Sequence, residues 1–363
     1  MPIATSVTTS PVMNSINQQD LDKKALNSLV QRLQKCKRII VVTGAGCSVT
    51  SGIPDFRSAG GLYEQVKEKF PSSLAKGQDL FDLNFFLNPS NRPIFFRFMG
   101  LLKEMIDQAE PSRLHHLLRI LKECSLLTRV YTQNIDMLEE KVGLLTQPWR
   151  DPKRSPVVLL HGTMQNVKCI ICKDSIEFSP AIAQSYKEGI SVECGKCREK
   201  SDKRIAMGRR AISCGIYRPD IVLYNESHPE GDEISSILTC DLSKRPDACF
   251  VIGTSLKVAG IKRLVKELAR EVKLSSGGPV IYINKTALSA VSEWKGIFSH
   301  ELVGCADFWA DILLSQWIGT KKLISSKIEQ FFPLQKKVLS VVSPKEKYSI
   351  LFQQQLEEEE GKK

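Results

Sequence analysis

No run of apolar residues in the 363-residue chain approaches a membrane span, which needs about 20 consecutive apolar positions; no membrane partner is expected. The opening segment MPIATSVTTSPVMNS lacks a basic start followed by an apolar block, so it does not read as a secretory signal. It reads as part of a polar, disordered lead-in over residues 1–19. There is no internal repeat. Eleven cysteines, an odd number, occur with no mark of secretion, which argues against a disulfide framework. Acids are in deficit: 51 Lys and Arg face 40 Asp and Glu, for a formal net charge of +11. That balance fits either general solubility or proximity to a polyanion such as nucleic acid. Part of the excess is local, because residues 194–210 (CGKCREKSDKRIAMGRR) carry seven Lys or Arg against two acids. No clean nuclear-localisation cluster stands out, although this patch and DPKRSP at 151–156 are candidates.

What is present is ordinary for a globular protein: 42% hydrophobic and 25% charged residues. Residues 20–37 carry Leu21, Leu26, Leu29, Val30 and Leu33 at helical spacing. Short apolar runs at 39–42, in LLTRVYTQNID, at 157–162, 221–226 (IVLYNE), 248–256 and 279–285 read as buried strands, with a helix at 261–272 between the last two. Strands alternating with helices predict an α/β fold with a Rossmann-like parallel sheet. The expected organisation is Rossmann-like segments at 20–64, 126–166 and 214–320, a Phe-rich helical module at 65–125, an inserted small zinc-binding module at 167–213 and a polar tail at 321–363. The phenylalanines of the helical module and the adjacent His115 and His116 read as core.

The cysteines carry the most specific signal. Cys169-x-x-Cys172 and Cys194-x-x-Cys197 are 21 residues apart, a spacing that supplies four thiolates to one tetrahedral Zn²⁺. Lys168, Lys173, Lys196 and Arg198 flank the ligands and offset their charge. No His or carboxylate replaces a cysteine, so no coordination position is left for water, and the metal reads as structural. The turn Gly44-Ala45-Gly46-Cys47-Ser48 follows a strand, where glycines let backbone approach a pyrophosphate and a helix N-terminus face it. Val49 stands where a dehydrogenase has its third glycine, and no acid ends a second strand some twenty residues on, so a hydride-transfer reading has little support. Further along, Pro54 stiffens the loop, Asp55 and Arg57 can pair or touch phosphate and ribose, and Phe56 can cover a ring. Gln133-Asn134-Ile135-Asp136, His161-Gly162, Gly253-Thr254-Ser255 and Asn284-Lys285 end other strands, so five polar clusters converge on one sheet edge. His161 at a strand end, with a glycine leaving room for substrate, is a candidate general base.

These residues resemble the sirtuin family. GAGCSVTSGIPDFRS, TQNID, HG, the two CxxC pairs, IGTSL and IN occur in family order over residues 25–320, and the pattern is most similar to the fungal histone-directed class I branch. The resemblance implies an NAD+-dependent protein lysine deacetylase that releases nicotinamide and O-acetyl-ADP-ribose. NAD+ is then a co-substrate, attacked at C1′ of the nicotinamide ribose by the acetyl-lysine carbonyl oxygen. The resemblance makes His161 the catalytic base towards a ribose hydroxyl and has Asn134 position ribose and water. Asp136 and Ile53 would hold the carboxamide and Gln133 the ribose. Ala45, Arg57 and Ser255 would take phosphates or nearby hydroxyls, Phe56 would shield the reactive ribose face, and Asn284 would bind the adenosine ribose. Gly44, Gly46, Ser48, Pro54, Asp55, Tyr63, Ile135, Gly253, Thr254, Lys285 and Thr286 complete the implied cofactor set. Either Cys305 or Ala306 would make the adenine-side contact. An acetyl-lysine peptide, from a histone, would add as a strand between Val222-Leu223-Tyr224-Asn225-Glu226 and Leu256-Lys257-Val258. Asn225 departs from the family by replacing a common glycine, and Ala259 stands where a proline is often seen. A nuclear location and chromatin proximity follow from the same resemblance. Mono-ADP-ribosyl transfer from the same pocket, or an NAD+-binding chromatin adaptor without turnover, are the rival readings.

Overall fold

The computed structural model describes residues 13–69, 76–146 and 155–318. The expected tail, residues 1–12 of the lead-in and residues 151–154 of the DPKRSP candidate lie outside them. The strands are β1 (Asn14–Asn17), β2 (Ile39–Thr43), β3 (Leu127–Thr132), β4 (Val157–Leu159), β5 (Gly162–Cys169), β6 (Ser175–Glu177), β7 (Tyr217–Ile221), β8 (Ala248–Ile252), β9 (Val280–Asn284) and β10 (His300–Val303). The helices are α1 (Lys23–Leu33), α2 (Leu62–Lys69), α3 (Leu83–Leu87), α4 (Arg92–Gln108), α5 (Arg113–Glu123), α6 (Leu138–Lys141), α7 (Pro180–Lys187), α8 (Gly195–Ala206), α9 (Gly231–Ser243), α10 (Ala259–Ser276) and α11 (Ala306–Leu313).

Seven strands form one sheet in the order β1-β10-β9-β8-β2-β3-β4, and every neighbouring pair is parallel. β2 shows why the continuous apolar runs belong here. Ile39 and Val41 enter one core with α1, α5 and α11, while Ile40 and Val42 enter another with α10. Period-two alternation between two apolar cores needs every residue apolar, and each such burial stabilises by roughly 1.5–3 kcal/mol. Asp22 starts α1 by accepting the backbone N–H groups of Lys24 and Ala25 at 2.9 and 3.0 Å.

From β2 the sheet grows one way through β3 and β4, and the other way from β8 through β9 and β10. The strand order therefore reverses between β2 and β8, and the crevice beyond the carboxyl ends there is where such sheets bind ligands. A second sheet, β6-β5-β7, is antiparallel.

Four expectations are corrected. Residues 14–17, assigned to a disordered lead-in, form edge strand β1, with Asn14 to Asn17 registered against His300 to Val303; burial of Ile16 in the core holds it there. α5, assigned to the helical module, packs through Leu114, Leu117, Leu118 and Leu121 onto the parallel sheet. Residues 221–226 are not a strand of that sheet: β7 ends at Ile221 and pairs antiparallel with β5. Asn225 then adopts a left-handed conformation, φ +63°, which stops extension. Finally, the helical and cysteine segments are one lobe. Phe95, Phe96 and Met99 share a core with Tyr186, Cys194 and Tyr217, and the rings of Phe96 and Tyr186 lie 4.5 Å apart.

Candidate active site

The glycine turn is a place where two backbones meet. A Cβ on Gly44 would lie 2.7 Å from the Gly253 carbonyl oxygen, and one on Gly46 would lie 2.8 Å from the Gly253 Cα. Gly253 itself has φ +64°. These glycines let the β2 turn cross the β8 turn at the switch point. The segment after them is two short 3₁₀ turns, Ala45–Cys47 and Val49–Ser51, so the expected helix N-terminus is absent from this position.

The strand ends of β2, β3 and β8 are tied together. Gln133 donates its backbone N–H and its Nε2 to the Thr43 carbonyl at 3.0 and 3.1 Å, and accepts from Thr254 Oγ1 at 3.4 Å. Beside it, Ser48 Oγ donates to Asp136 Oδ2 at 2.7 Å and accepts from Asn134 Nδ2 at 3.2 Å. All three residues are buried. Asp136 Oδ1 also accepts from the Leu138 N–H, which fixes the carboxylate. Asn284 ends β9 and donates to Thr286, while its carbonyl accepts from Gly304.

His161 stands where the chain leaves the parallel sheet after β4 and enters β5 of the lobe. Its Nδ1 is 3.0 Å from the Gln133 carbonyl oxygen. A carbonyl only accepts, so Nδ1 carries the proton and Nε2 is left with a lone pair. Burial lowers the His161 pKa below its ordinary value; the bond to Gln133 opposes this, and the nearby His228 and Arg57 add to the lowering. The ring is neutral at pH 7 and suited to accept a proton at Nε2. Gly162 was expected to leave room for substrate. Instead it has φ +79°, and a Cβ there would lie 2.2 Å from the Asp220 carbonyl oxygen; the space belongs to β7. Val222 N–H donates to the His161 carbonyl at 2.9 Å, so the expected peptide segment begins against the histidine.

The loop after Ile53 is organised by Asp55. Its carboxylate accepts from the N–H groups of Arg57 and Ser58 and from the Ser58 hydroxyl. Burial raises the pKa, but these bonds outweigh it, with help from the Lys285 charge, and the net shift is downward. Asp55 therefore shapes the loop, while Arg57 is exposed and directed to Tyr224, whose hydroxyl accepts from Nη2 at 2.8 Å. Tyr63 lies 3.3 Å from the same hydroxyl and packs on Phe56, ring to ring 5.5 Å. Tyr224 is clamped by its N–H to the Phe81 carbonyl and its carbonyl to the Leu83 N–H. Asn225 Nδ2 donates to Asp82 at 2.6 Å. The Asn-for-Gly departure thus keeps the left-handed turn, which Asn tolerates, and gains a bond. Glu226 holds Arg218 and the Leu223 N–H. Leu256 is buried at φ +53°, Lys257 is exposed and Val258 precedes α10.

Two contributors had no signal in the sequence reading. Gln18, beyond β1, accepts from the Cys305 N–H at 2.8 Å and sets the turn before α11. Glu139 is buried with both oxygens unpartnered among the described residues; burial and the Asp136 charge raise its pKa to about 8. It lies with Asp136 and His115 in one cluster, ligand atoms within 4.8 Å. His115 Nδ1 accepts from the Ser112 N–H at the start of α5 and the residue is buried, as expected of a core histidine.

The four cysteine sulfurs lie within 4.8 Å of one another, with Cys169 to Cys197 at 3.8 Å and Cys172 to Cys194 at 3.5 Å. Zn–S bonds of about 2.3 Å in a tetrahedron separate sulfurs by about 3.8 Å, whereas bonded sulfurs sit about 2.05 Å apart. The residues fit a closed structural zinc site.

A parallel α/β sheet with a polar switch-point crevice, a neutral histidine at its rim and a zinc-stapled lobe defines a nucleotide-binding enzyme class. The Sir2 family profile matches residues 44–260. The NAD-dependent histone deacetylase HST3 of Candida albicans is 38% identical over 321 residues, covering 84% of this chain and 66% of that protein. Its namesake in Saccharomyces cerevisiae is 36% identical, covering 82% and 69%. A solved Sir2 homolog–NAD complex superposes with a TM-score of 0.62 at 22% identity, covering 87% of this chain and 99% of that one. The chain belongs to the Sir2 family. It spans about two thirds of the length of these two curated relatives.

Proposed function

We propose that the protein is an NAD+-dependent protein lysine deacetylase acting on acetylated histones, with NAD+ as co-substrate. The observation that carries this reading is His161: a neutral imidazole with Nδ1–H anchored on Gln133 and no hydrogen bond at Nε2 among the described residues, at the rim of the switch-point crevice. The names of the curated relatives, NAD-dependent histone deacetylases, support it.

NAD+ supplies an activated glycosidic bond: nicotinamide leaves, and the acetyl group ends on ADP-ribose as lysine is freed. The protein's part is orientation and proton movement. His161 Nε2 takes the proton of a ribose hydroxyl. Asn134 and Asp136, held through Ser48, orient the ribose, a water and the carboxamide, with Ile53 as the apolar wall. Arg57 meets phosphate and Phe56 covers the ribose face. Gly253, Thr254 and Ser255 serve the phosphate end, and Asn284, Lys285 and Thr286 the adenosine end. Of the two adenine-side candidates, half-buried Cys305 is the accessible one, since Ala306 is buried in the sheet core. The peptide lies along 222–226 and 256–258. A nuclear role and chromatin proximity go with a histone substrate and the basic charge.

The test mixes the protein, NAD+ and an acetylated histone peptide and follows nicotinamide and O-acetyl-ADP-ribose by chromatography. Both should appear in equal amounts. Nicotinamide without acetyl transfer would point to ADP-ribosylation, and no nicotinamide at all would point to a binding protein.

A further inference from the structure

We propose that the outer face of α8 and the turn after it form a docking surface for the phosphate backbone of duplex DNA. The proposal does not rest on the deacetylase reading, since nothing in it requires turnover.

Residues 194–210 hold seven Lys or Arg against two acids, so a segment of 17 residues carries five of the chain's eleven net positive charges. The helix sorts them. Cys197 and Ser201, four apart, are buried against the lobe. Lys196, Lys200 and Lys203 recur at i, i+4 and i+7, which places them in one exposed stripe, about 10 Å long at 1.5 Å per residue.

The stripe continues into an ordered turn. Arg204 Nε donates to the Arg210 carbonyl at 3.1 Å, and the Arg209 N–H donates to the Arg204 carbonyl at 2.9 Å. Ser201 Oγ exchanges bonds of 3.2 Å with the Ile212 N–H and carbonyl. Arg209 and Arg210 are thereby presented, exposed, in the turn that follows the lysine row.

Local acids do not neutralise this face. Lys196 pairs with Asp174, Arg198 with Glu193 and Lys203 with Glu199. These pairs are solvent-exposed on the cation side, and such pairs are weak, so phosphate can replace the carboxylates. Lys200, Arg209 and Arg210 make no ion pair among the described residues. Between the arginines stand Ile205 and Met207, 55% and 70% exposed. Apolar side chains flanked by Arg are a combination that reaches into a DNA groove. A linear cation row suits a polymer with one charge per about 1.7 Å of axis. A compact acidic protein patch would be met by a compact basic one.

The test is fluorescence anisotropy of the full chain, zinc-loaded and without NAD+, on a labelled duplex of roughly 20 base pairs. If about five phosphates are neutralised, log K against log salt should slope near about −4.5, a weakening of about 500-fold from about 50 to about 200 mM salt. Lys200→Ala/Arg209→Ala/Arg210→Ala should bring the slope to about −2. The triple variant should keep its zinc content and unfolding temperature, because none of the three side chains touches the lobe core. Arg263→Ala/Arg270→Ala removes two charges from the exposed side of α10 and should leave the slope near the parent value. No binding at low salt, or equal losses in both variants, would overturn the proposal. Binding to polyglutamate in place of duplex, lost in the first variant, would also overturn it and assign the surface to an acidic protein.

Discussion

The two sheets of this molecule are held by different physics, and the catalytic candidate sits where they join. In the seven-stranded sheet, β2, β4 and β8 are buried at every residue. In the lobe, β6 is exposed at every residue, and β5 and β7 are buried only in part. Among the described residues, five of the ten exposed large hydrophobics fall at 171, 176, 190, 205 and 207 in the cysteine segment, and the buried apolar residues of that segment share their core with the helical one. A sheet covered on both faces stabilises itself. A three-stranded sheet with one wet face leans on helices packed against its other face, here α4 and α7, and four sulfurs set for one ion add a tie between its strands. β5 carries both ends of the comparison: His161 precedes its first residue and Cys169 is its last, a span of at most about 26 Å at 3.3 Å per residue. The cysteines and the histidine thus stand at opposite ends of one strand.

The largest expected effect breaks the junction chemically. His161→Ala should lower nicotinamide release from NAD+ and acetyl-peptide by about 10²–10⁴-fold, the usual worth of a general base, with thermal unfolding little changed. Turnover within a few-fold of the parent would remove His161 from the mechanism. Cys194→Ser, or chelation, breaks the lobe alone. It should release zinc, make the remaining thiols reactive to a thiol reagent and lower the unfolding temperature by on the order of 10 °C. Activity should fall with it, because β5 and β7 frame His161. Retained stability would mean that the lobe needs no metal.

The sheet has its own polar tie, and breaking it tests the apolar half of the comparison. Arg129, 2% exposed, donates Nε and Nη2 to Asp241 at 2.6 and 3.0 Å and Nη1 to the Ser155 carbonyl at 2.7 Å. Arg129→Ala leaves Asp241 buried with only Tyr131 and Lys244, and should cost about 3–5 kcal/mol in denaturant unfolding. A loss below about 1 kcal/mol would show that apolar burial alone carries the sheet.

Smaller effects sharpen the junction. Tyr224→Phe removes one hydroxyl between the Arg57 loop and the lobe, and should weaken NAD+ binding by calorimetry about 3–10-fold, within the range of one hydrogen bond to a charged group. The effect should vanish in an Arg57→Ala background; persistence there would mean that Tyr224 acts by packing. The smallest effect is in pH. Because burial lowers the His161 pKa, the free base persists below pH 6.5 and kcat/KM should fall only on further acidification. An acid limb centred above 6.5 would contradict the neutral, buried ring.

Local chemistry was legible without a structure wherever the chain itself sets the distance. Two CxxC pairs have their reach fixed by backbone geometry, and continuous apolar runs such as 39–42 announce strands buried on both faces. Strand-end polar residues such as Gln133, Asn134 and His161 follow from those runs, because parallel strands end on one edge. What the sequence left open depends on partners far along the chain. Only the tertiary structure brought Arg57 to Tyr224, 167 residues away, put Gln18 against Cys305, 287 residues away, and made a strand of residues 14–17 by giving Ile16 a core to enter. It also showed which backbone Gly44, Gly46 and Gly162 allow to come close: that of Gly253 for the first two and of Asp220 for the third. A glycine records only that something comes close; which chain or ligand does so is decided by packing.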